Sequence, residues 1–412
     1  MIRHVFFGFL FFVQSLITSG QVRTLDFFLQ QGLSNSPLLK DLNNQLRVNF
    51  LDSLLIKANR LPQINVDGLL NYAPIIHGYG YSEAITNGGN YISVIDIHQP
   101  IFNKKAINIQ YSGIGLQNQA VVNSTRIAER DLKKTITALY LTSFAIYSQS
   151  SFERVLLDRT REEETLLKQL VENGIYRQTD YLSFLVEMQS MELHLIDLQT
   201  EYQKAISGLN IICGISDTTD YQLSMPTFQE NVSPRPSGFP FFNRFIIDSL
   251  RIQNEKLLID QAYVPKVDWY TDAGIVSNDL SVVYKNFGIS FGLSFTVPVW
   301  DGNQRKLNYE KLKATEINRK TYQDYFRTQF HQQLRQLDQE LRRVRELIPR
   351  MQEQMKLAET IIRQDKQLLN TGGISITDYV IAKKNYIQIQ SNLNTYQVHV
   401  LQIMNEINYW KE

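Results

Sequence analysis

Two hydrophobic periods alternate along this chain. Around 62–100 and 265–298, apolar residues recur at every second position. Ile64, Val66, Leu70 and Tyr72 alternate with Gln63, Asn65, Asp67 and Asn71, and Val267, Trp269, Ala273 and Ile275 oppose Lys266, Asp268, Tyr270 and Asp272. The cleanest run sets Phe287, Ile289, Phe291, Leu293, Phe295 and Val297 against Gly288, Ser290, Gly292, Ser294 and Thr296. Tyr91–Pro100 alternates less well, with Asp96 and His98 on one side. A period of two predicts strands with unlike faces. Gly78, Gly80, Gly88 and Gly89 separate the first pair of strands and Ser277, Asn278 and Asp279 the second, so two hairpins are expected.

The rest of the chain steps by three and four. Tyr181, Phe184, Met188, Met191, Leu195, Leu198, Tyr202, Ala205, Leu209 and Ile212 form one such series. Tyr379, Ala382, Tyr386, Ile389, Leu393, Tyr396, Val400, Ile403, Ile407 and Trp410 form another. Phe330, Leu334, Leu337, Leu341, Val344, Ile348, Met351, Met355, Ala358 and Ile362 make a third, in which Pro349 predicts a kink. Sustained spacing of this kind predicts helices packed as coiled coils. A first-half counterpart starts at Leu132, Ile136 and Leu139, then fades into Ser143 and Ser150; Arg159–Glu164 reads as a solvated charge run.

The two halves repeat each other. Pro100 and Pro298 lie 198 residues apart, as do Gly174 and Gly372, and Asp180 and Asp378. Both helical series obey the same offset. Leu61-Pro62-Gln63-Ile64 resembles Val264-Pro265-Lys266-Val267 at a slightly larger one. From each proline to its glycine is 74 residues. At ~1.5 Å per residue such a helix approaches roughly 100 Å, far beyond globular length. A helical segment is also expected over 25–59, stacked end to end with the first returning helix, with a shorter counterpart at 245–263. The expected organisation is a leader at 1–20, a first repeat at 21–220, a connector at 221–244 and a second repeat at 245–412. The strand hairpins take about 62–100 and 265–298, and the helical hairpins about 103–213 and 301–411.

Composition adds few constraints. Basic and acidic residues number 42 and 41, which favours neither nucleic acid nor an acidic tail. The N-terminus has Arg3 and His4, an apolar core from Val5 to Ile17, and small residues at Thr18–Gly20, the pattern of a secretory signal. No later segment has the length of apolar residues that a membrane-spanning helix needs. Cys213 is the only cysteine, so an internal disulfide and a multi-cysteine metal site are both excluded.

Strands of about ten residues, apolar on one side and polar on the other, suit a tilted membrane strand or a soluble sheet with one wet face. An unpaired edge cannot face lipid, and four strands are too few to close a barrel. If these strands cross a membrane, several chains share one barrel; three chains would supply twelve strands, enough for an open lumen.

At this point the chain resembles the TolC outer-membrane efflux family, from about Leu25 to Trp410. The most specific stretch is Phe295–Arg305, FTVPVWDGNQR: apolar-Pro-apolar-aromatic-Asp-Gly, then a basic helix start. Gly174–Tyr181 and Gly372–Tyr379 resemble the family's periplasmic turns. The resemblance implies an α+β, mostly α fold of two tandem repeats. It implies a homotrimer with a 12-stranded β-barrel in outer-membrane lipid, continued by a periplasmic α-helical barrel. It also implies a passive export duct, not an enzyme, that docks a periplasmic adaptor and is driven by an inner-membrane transporter for efflux or type I secretion. In the family the tips open like an iris and acidic residues there ring the lumen. Asp378 matches the first acidic position and Asp180 its equivalent, but Ile381 occupies the second, and Ile374 and Leu369 stand where some members have basic and aromatic tip partners.

The candidate residues follow. At the tip and gate are Gly174, Asp180, Gly372, Gly373 and Asp378; the glycines read equally as left-handed helix ends and the aspartates as helix-start charges. At the strand–helix junction are Pro100, Pro298, Trp300, Asp301 and Gly302. On the polar, lumen-facing side of the strands are Asp67, Asp268, Asp272, Ser290 and Ser294. Gly288-Ile-Ser290-Phe-Gly292 matches the hydrolase elbow G-x-S-x-G, but that motif needs a sharp strand-to-helix turn and here lies inside a strand. The six histidines are scattered, without zinc spacing, and no cofactor is indicated. The alternative function is a periplasmic coiled-coil adaptor, although such proteins normally carry one hairpin and not two in tandem.

Overall fold

The computed structural model describes residues 22–81, 88–101, 104–217, 221–228 and 239–411; the expected leader and part of the connector lie outside these. Among the described residues the chain forms six strands and seven α-helices. They run β1 (Val22–Arg23), α1 (Leu25–Asn35), α2 (Pro37–Ala58), β2 (Gln63–Ala73), β3 (Gly88–Ile101), α3 (Lys104–Glu172), α4 (Gln178–Cys213), β4 (Gln222–Leu223), α5 (Pro240–Ala262), β5 (Lys266–Ser277), β6 (Phe287–Thr296), α6 (Gln304–Asn370) and α7 (Ile376–Lys411). A short 3-10 turn, Leu280–Lys285, joins β5 to β6. No helix among the described residues is long and apolar enough to cross a membrane.

The chain divides into two compact units that cut across the sequence repeat. One takes described residues within 1–36, 129–234 and 332–412; the other takes those within 37–128 and 235–331. Helices α3 and α6, of 69 and 67 residues, contribute to both.

The second unit holds one antiparallel sheet of order β2-β3-β5-β6. The residues Pro62 and Pro265 stand immediately before β2 and β5, where the missing N–H removes no ladder bond. Beside the sheet, Leu42 of α2 is buried with Val121 and Ala128 of α3. The start of α5 packs its Phe239, Phe242 and Phe245 around Phe326 and Phe330 of α6.

The first unit is built from α1, α4, α7 and the later parts of α3 and α6. Its largest core surrounds Phe28, Ile136, Tyr140, Tyr202, Leu209 and Cys213. The Tyr140 hydroxyl lies 2.7 Å from the Ser224 carbonyl and 3.1 Å from that of Arg23, tying α3 to the paired strands β1 and β4. A second core joins Leu337, Leu341 and Val344 of α6 to Ile403, Met404 and Ile407 of α7.

Two expectations need correction. The segment 25–59 is not one helix: it breaks at Ser36, and Pro37 opens α2, a position that suits its fixed φ and absent N–H. Pro349 lies inside α6, which runs from Gln304 to Asn370. One proline removes one backbone bond, and the buried Leu341 and Val344 before it and Met355 and Ala358 after it hold both sides in register. The charge run Arg159–Glu164 is not wholly solvated, because Thr160 and Glu163 are buried.

Candidate functional site: a two-faced sheet and a bridged helical tip

The sheet's register sorts its side chains onto two faces. Asn65, Asp96, Asp272 and Ser290 stand in one row across the four strands, because Asn65 pairs with Asp96, Asp96 with Asp272 and Asp272 with Ser290. Gln63, His98, Tyr270 and Gly292 form the next row on that face. Asp67 opposes Val94 there, and Asp268 lies between Pro100 and Ser294. The five strand candidates, Asp67, Asp268, Asp272, Ser290 and Ser294, therefore share one face. His98 lies 3.7 Å from Asp268.

The opposite face carries Ile64, Ile97, Thr271 and Phe291 in one row and Val66, Ile95, Ala273 and Ile289 in another. The large side chains of its two edge strands are bare: Leu70 is 82% exposed, Phe291 88% and Ile289 71%. A water-soluble sheet would cover such a surface. Ser290 donates to Asp272 in the middle of a strand that continues to Thr296, so the hydrolase elbow does not form.

At the strand–helix junction, Asp301 acts as a hub. Its Oδ2 accepts the Arg305 N–H at 2.8 Å and the Tyr263 hydroxyl at 2.6 Å. The Tyr263 bond, with the backbone donors, holds the Asp301 carboxyl below the usual carboxylate range. Arg305 reaches Asp260 at 2.6 Å, and Tyr309 donates to the same carboxylate. The Asp and Arg of the 295–305 stretch thus fix how α6 leaves the sheet and how α5 enters it. Gly302 supplies a left-handed residue at φ 63°. The side chain of Trp300 projects outward, 87% exposed.

At the tip, α3–α4 and α6–α7 turn in the same way. Both turns close with a left-handed glycine, Gly174 at φ 74° and Gly372 at φ 76°. Ile175 N–H bonds the Leu170 carbonyl at 3.0 Å and Gly373 N–H the Leu368 carbonyl at 2.8 Å, the long bond of a Schellman ending in each repeat. Gly373 itself does not have the left-handed φ expected of it; it occupies the position that Ile175 fills in the first repeat. Asp378 and Ser375 bond reciprocally, Oγ donating to Oδ2 at 2.7 Å and the Asp378 N–H donating to Oγ at 3.0 Å. The first repeat has Arg177 at the matching helix start, without a side-chain cap. Asp180 sits partly exposed in the first turn of α4. A cluster of Leu167, Leu170, Phe184, Leu369, Ile376 and Tyr379 joins the two turns, and the Tyr176 hydroxyl lies 2.8 Å from the Leu369 carbonyl and 2.9 Å from that of Ile374.

Above this cluster lies an ionic group that the sequence reading missed. Glu163 of α3 is buried, and its Oε1 accepts Lys366 Nζ at 3.1 Å and Tyr379 Oη at 2.9 Å. Its Oε2 accepts Lys383 Nζ at 2.8 Å, and Lys383 also bonds Thr160 at 2.6 Å. Burial alone would raise the Glu163 carboxyl, but the Lys383 charge and the three donors outweigh it and hold the group below its ordinary value. Burial pushes the Lys383 ammonium down, with Glu163 opposing. The available signal was register: Leu156, Thr160, Glu163, Leu167 and Leu170 step by four and three, so the seam continues through polar residues. Cys213 plays no such part; burial pushes its thiol up to about 11. Among the described residues, no group of three or more His, Cys, Asp or Glu is placed to hold a metal.

No protein-family model and no curated protein sequence matches the chain. Solved structures do. The CmeC outer membrane channel of Campylobacter jejuni aligns with TM-score 0.75 at 14% identity, over 94% of this chain and 85% of that one. The outer membrane protein VceC of Vibrio cholerae aligns with TM-score 0.74 at 12% identity, over 94% and 96%. The open state of the MtrE outer membrane channel of Neisseria gonorrhoeae aligns with TM-score 0.73 at 12% identity, over 94% and 88%. The chain has the fold of these outer-membrane proteins.

Proposed function

We propose that the chain is one subunit of an outer-membrane channel, a passive duct that passes cargo outward and performs no catalysis. The observation that carries this reading is the sheet. One face is apolar and bare along its edge strands, the other carries Asp67, Asp96, Asp268 and Asp272, and the same chain holds two helical hairpins. An apolar face toward lipid and a polar face toward water is what a membrane barrel requires. The likeness in fold to outer-membrane channels supports the duct over a periplasmic adaptor.

Strands β2 and β6 are the edges of the sheet, and their free backbone groups need partners within lipid. Joining β6 of one copy to β2 of the next satisfies both, and three copies close a twelve-stranded barrel. The helices agree. Leu182, Val186, Leu193 and Ile196 of α4, and Leu357, Ile361 and Leu368 of α6, form exposed stripes at steps of three, four or seven, seats for neighbouring helices of a homotrimer. The helical tip, with Asp180 and Asp378 at the first turns of α4 and α7, is the inward end of the duct. It docks a periplasmic adaptor, and an inner-membrane transporter supplies the energy.

The test is fractionation followed by electrical recording. The full chain should sediment with the outer membrane, extract in detergent as a trimer, and give discrete conductance steps in a planar bilayer. A water-soluble monomer that never conducts would refute the proposal.

A further inference from the structure

Resting on the channel reading above, we propose that the groove between α3 and α5, where β3 ends and β5 begins, holds a phospholipid with an anionic headgroup drawn from the membrane around the sheet. Two hollows follow one another along this groove. The first, of about 440 Å³, lies at the strand ends and is lined mainly by Ile101, Ala106, Leu258, Ala262, Val264 and Val267. Ile101 and Val267 are register partners on the apolar face of the sheet, so this hollow continues the surface that faces lipid. Its acidic member, Asp268, belongs to the opposite, polar face. The second hollow, of about 850 Å³, lies further along α3, with Lys104, Lys105, Asn108, Ser112 and Asn254 among its walls. Both fall within the roughly 300–1,000 Å³ of ligand sites.

The order of polarity along the groove is that of a phospholipid. Apolar wall comes first, next to the membrane, then two cations with amide and hydroxyl groups beside them. Acyl chains lying toward the sheet fill the first hollow, and the phosphate then falls at Lys104 and Lys105, both exposed. Asn108 and Ser112 can donate to the ester and headgroup oxygens. The lysines stand where the helix alone would not want them. They open α3, whose first turn has no acidic residue, and cations at that end oppose the helix dipole. An anion seated there reverses the penalty. The described residues that line the second hollow include no Asp or Glu. The second repeat differs, because Arg305 at the start of α6 meets Asp260 of α5 at 2.6 Å, so the chain itself answers that cation. The far end of the sheet differs too: among the described residues 74–81, 88–90 and 277–287 the only Lys or Arg is Lys285.

The experiment mixes the full-length trimer in detergent with phosphatidylglycerol, with phosphatidylcholine of the same acyl chains, or with inorganic phosphate, and counts bound molecules by native mass spectrometry. Wild type should hold phosphatidylglycerol, up to one per subunit, roughly ten-fold more tightly than phosphatidylcholine, as two lysines facing one anionic lipid imply. It should not retain phosphate. Lys104→Gln with Lys105→Gln should lose that preference, and Ala262→Trp, which fills the apolar hollow, should weaken both lipids. Lys285→Gln, at the far end of the sheet, should change neither. Circular dichroism and trimer migration establish that each variant is folded. A folded double variant that keeps the preference, or a Lys285→Gln trimer that loses it equally, would overturn the lipid groove while leaving the channel intact. So would phosphate retained as tightly as the lipid, or an Ala262→Trp trimer that binds both lipids like wild type. A wild-type chain that stays monomeric and never conducts would overturn the channel reading and the groove with it.

Discussion

Glu163 shows how much one residue's setting depends on a neighbour far away in sequence. Nothing next to it on α3 distinguishes it from Glu162 or Glu164. Its role comes from Lys383, 220 positions away. Removing that partner leaves a buried carboxylate without its nearest cation, so Lys383→Ala is expected to destabilise the folded protein by about 3–5 kcal/mol, read from denaturant unfolding in detergent. The acid response follows from the same contacts. A carboxyl held below its unfolded value stabilises the fold above that value, roughly pH 4.3, and the contribution fades as pH falls through the folded value. Wild-type melting temperature should therefore drop on acidification below the ordinary glutamate range, whereas Glu163→Gln should lose this component and show a flatter acid limb. An equally steep limb in that variant would mean that other carboxylates carry the acid response. Sequence alone indicated a polar fade along α3. It did not show where the fade was buried, because the complementary charges lie in the other repeat.

At the scale of elements, periodicity was informative wherever one face of a helix or strand is apolar. The strand hairpins are β2–β3 and β5–β6, and the helical hairpins α3–α4 and α6–α7. Local rules for proline compete with long-range packing. Pro349 is carried inside α6 by buried contacts on either side, whereas Pro37, at the boundary between compact units, does start a new helix. The turns at Gly174 and Gly372 were legible because a left-handed residue at a helix end is a local requirement. They also give a sharp comparison. Gly174→Ala meets no atom within 4 Å, so its cost is the backbone alone, about 1–2 kcal/mol. Gly373→Ala keeps an ordinary φ and meets only the flexible end of Leu368 at 3.2 Å, followed by atoms at 3.5 Å. Thermal unfolding should separate the two, with Gly174→Ala clearly lower; equal melting temperatures would contradict the left-handed assignment.

For the whole molecule, the decisive contrast lies between two consecutive residues. Ser290 belongs to the row with Asp272 and Asp96, and Phe291 to the row with Thr271, Ile97 and Ile64. A strand period of two put them on opposite faces from the sequence onward, but which face meets lipid depends on copies of the chain that no single sequence displays. If the apolar face is embedded, Phe291→Arg places a cation in hydrocarbon near mid-strand, at about 2–4 kcal/mol for each copy. Every copy in a closed ring carries the same change, so the penalty multiplies with the number of subunits while the edges still demand closure. Outer-membrane assembly should fail, with the protein degraded or held as unassembled monomer in the periplasmic fraction. Ser290→Ala removes only a hydroxyl from the water-facing side, and trimer yield should match wild type. Heat-sensitive migration on denaturing gels, compared across the two variants, reads both outcomes at once. Normal assembly of Phe291→Arg would mean that this face is not in lipid, and a shared barrel would no longer account for the sheet.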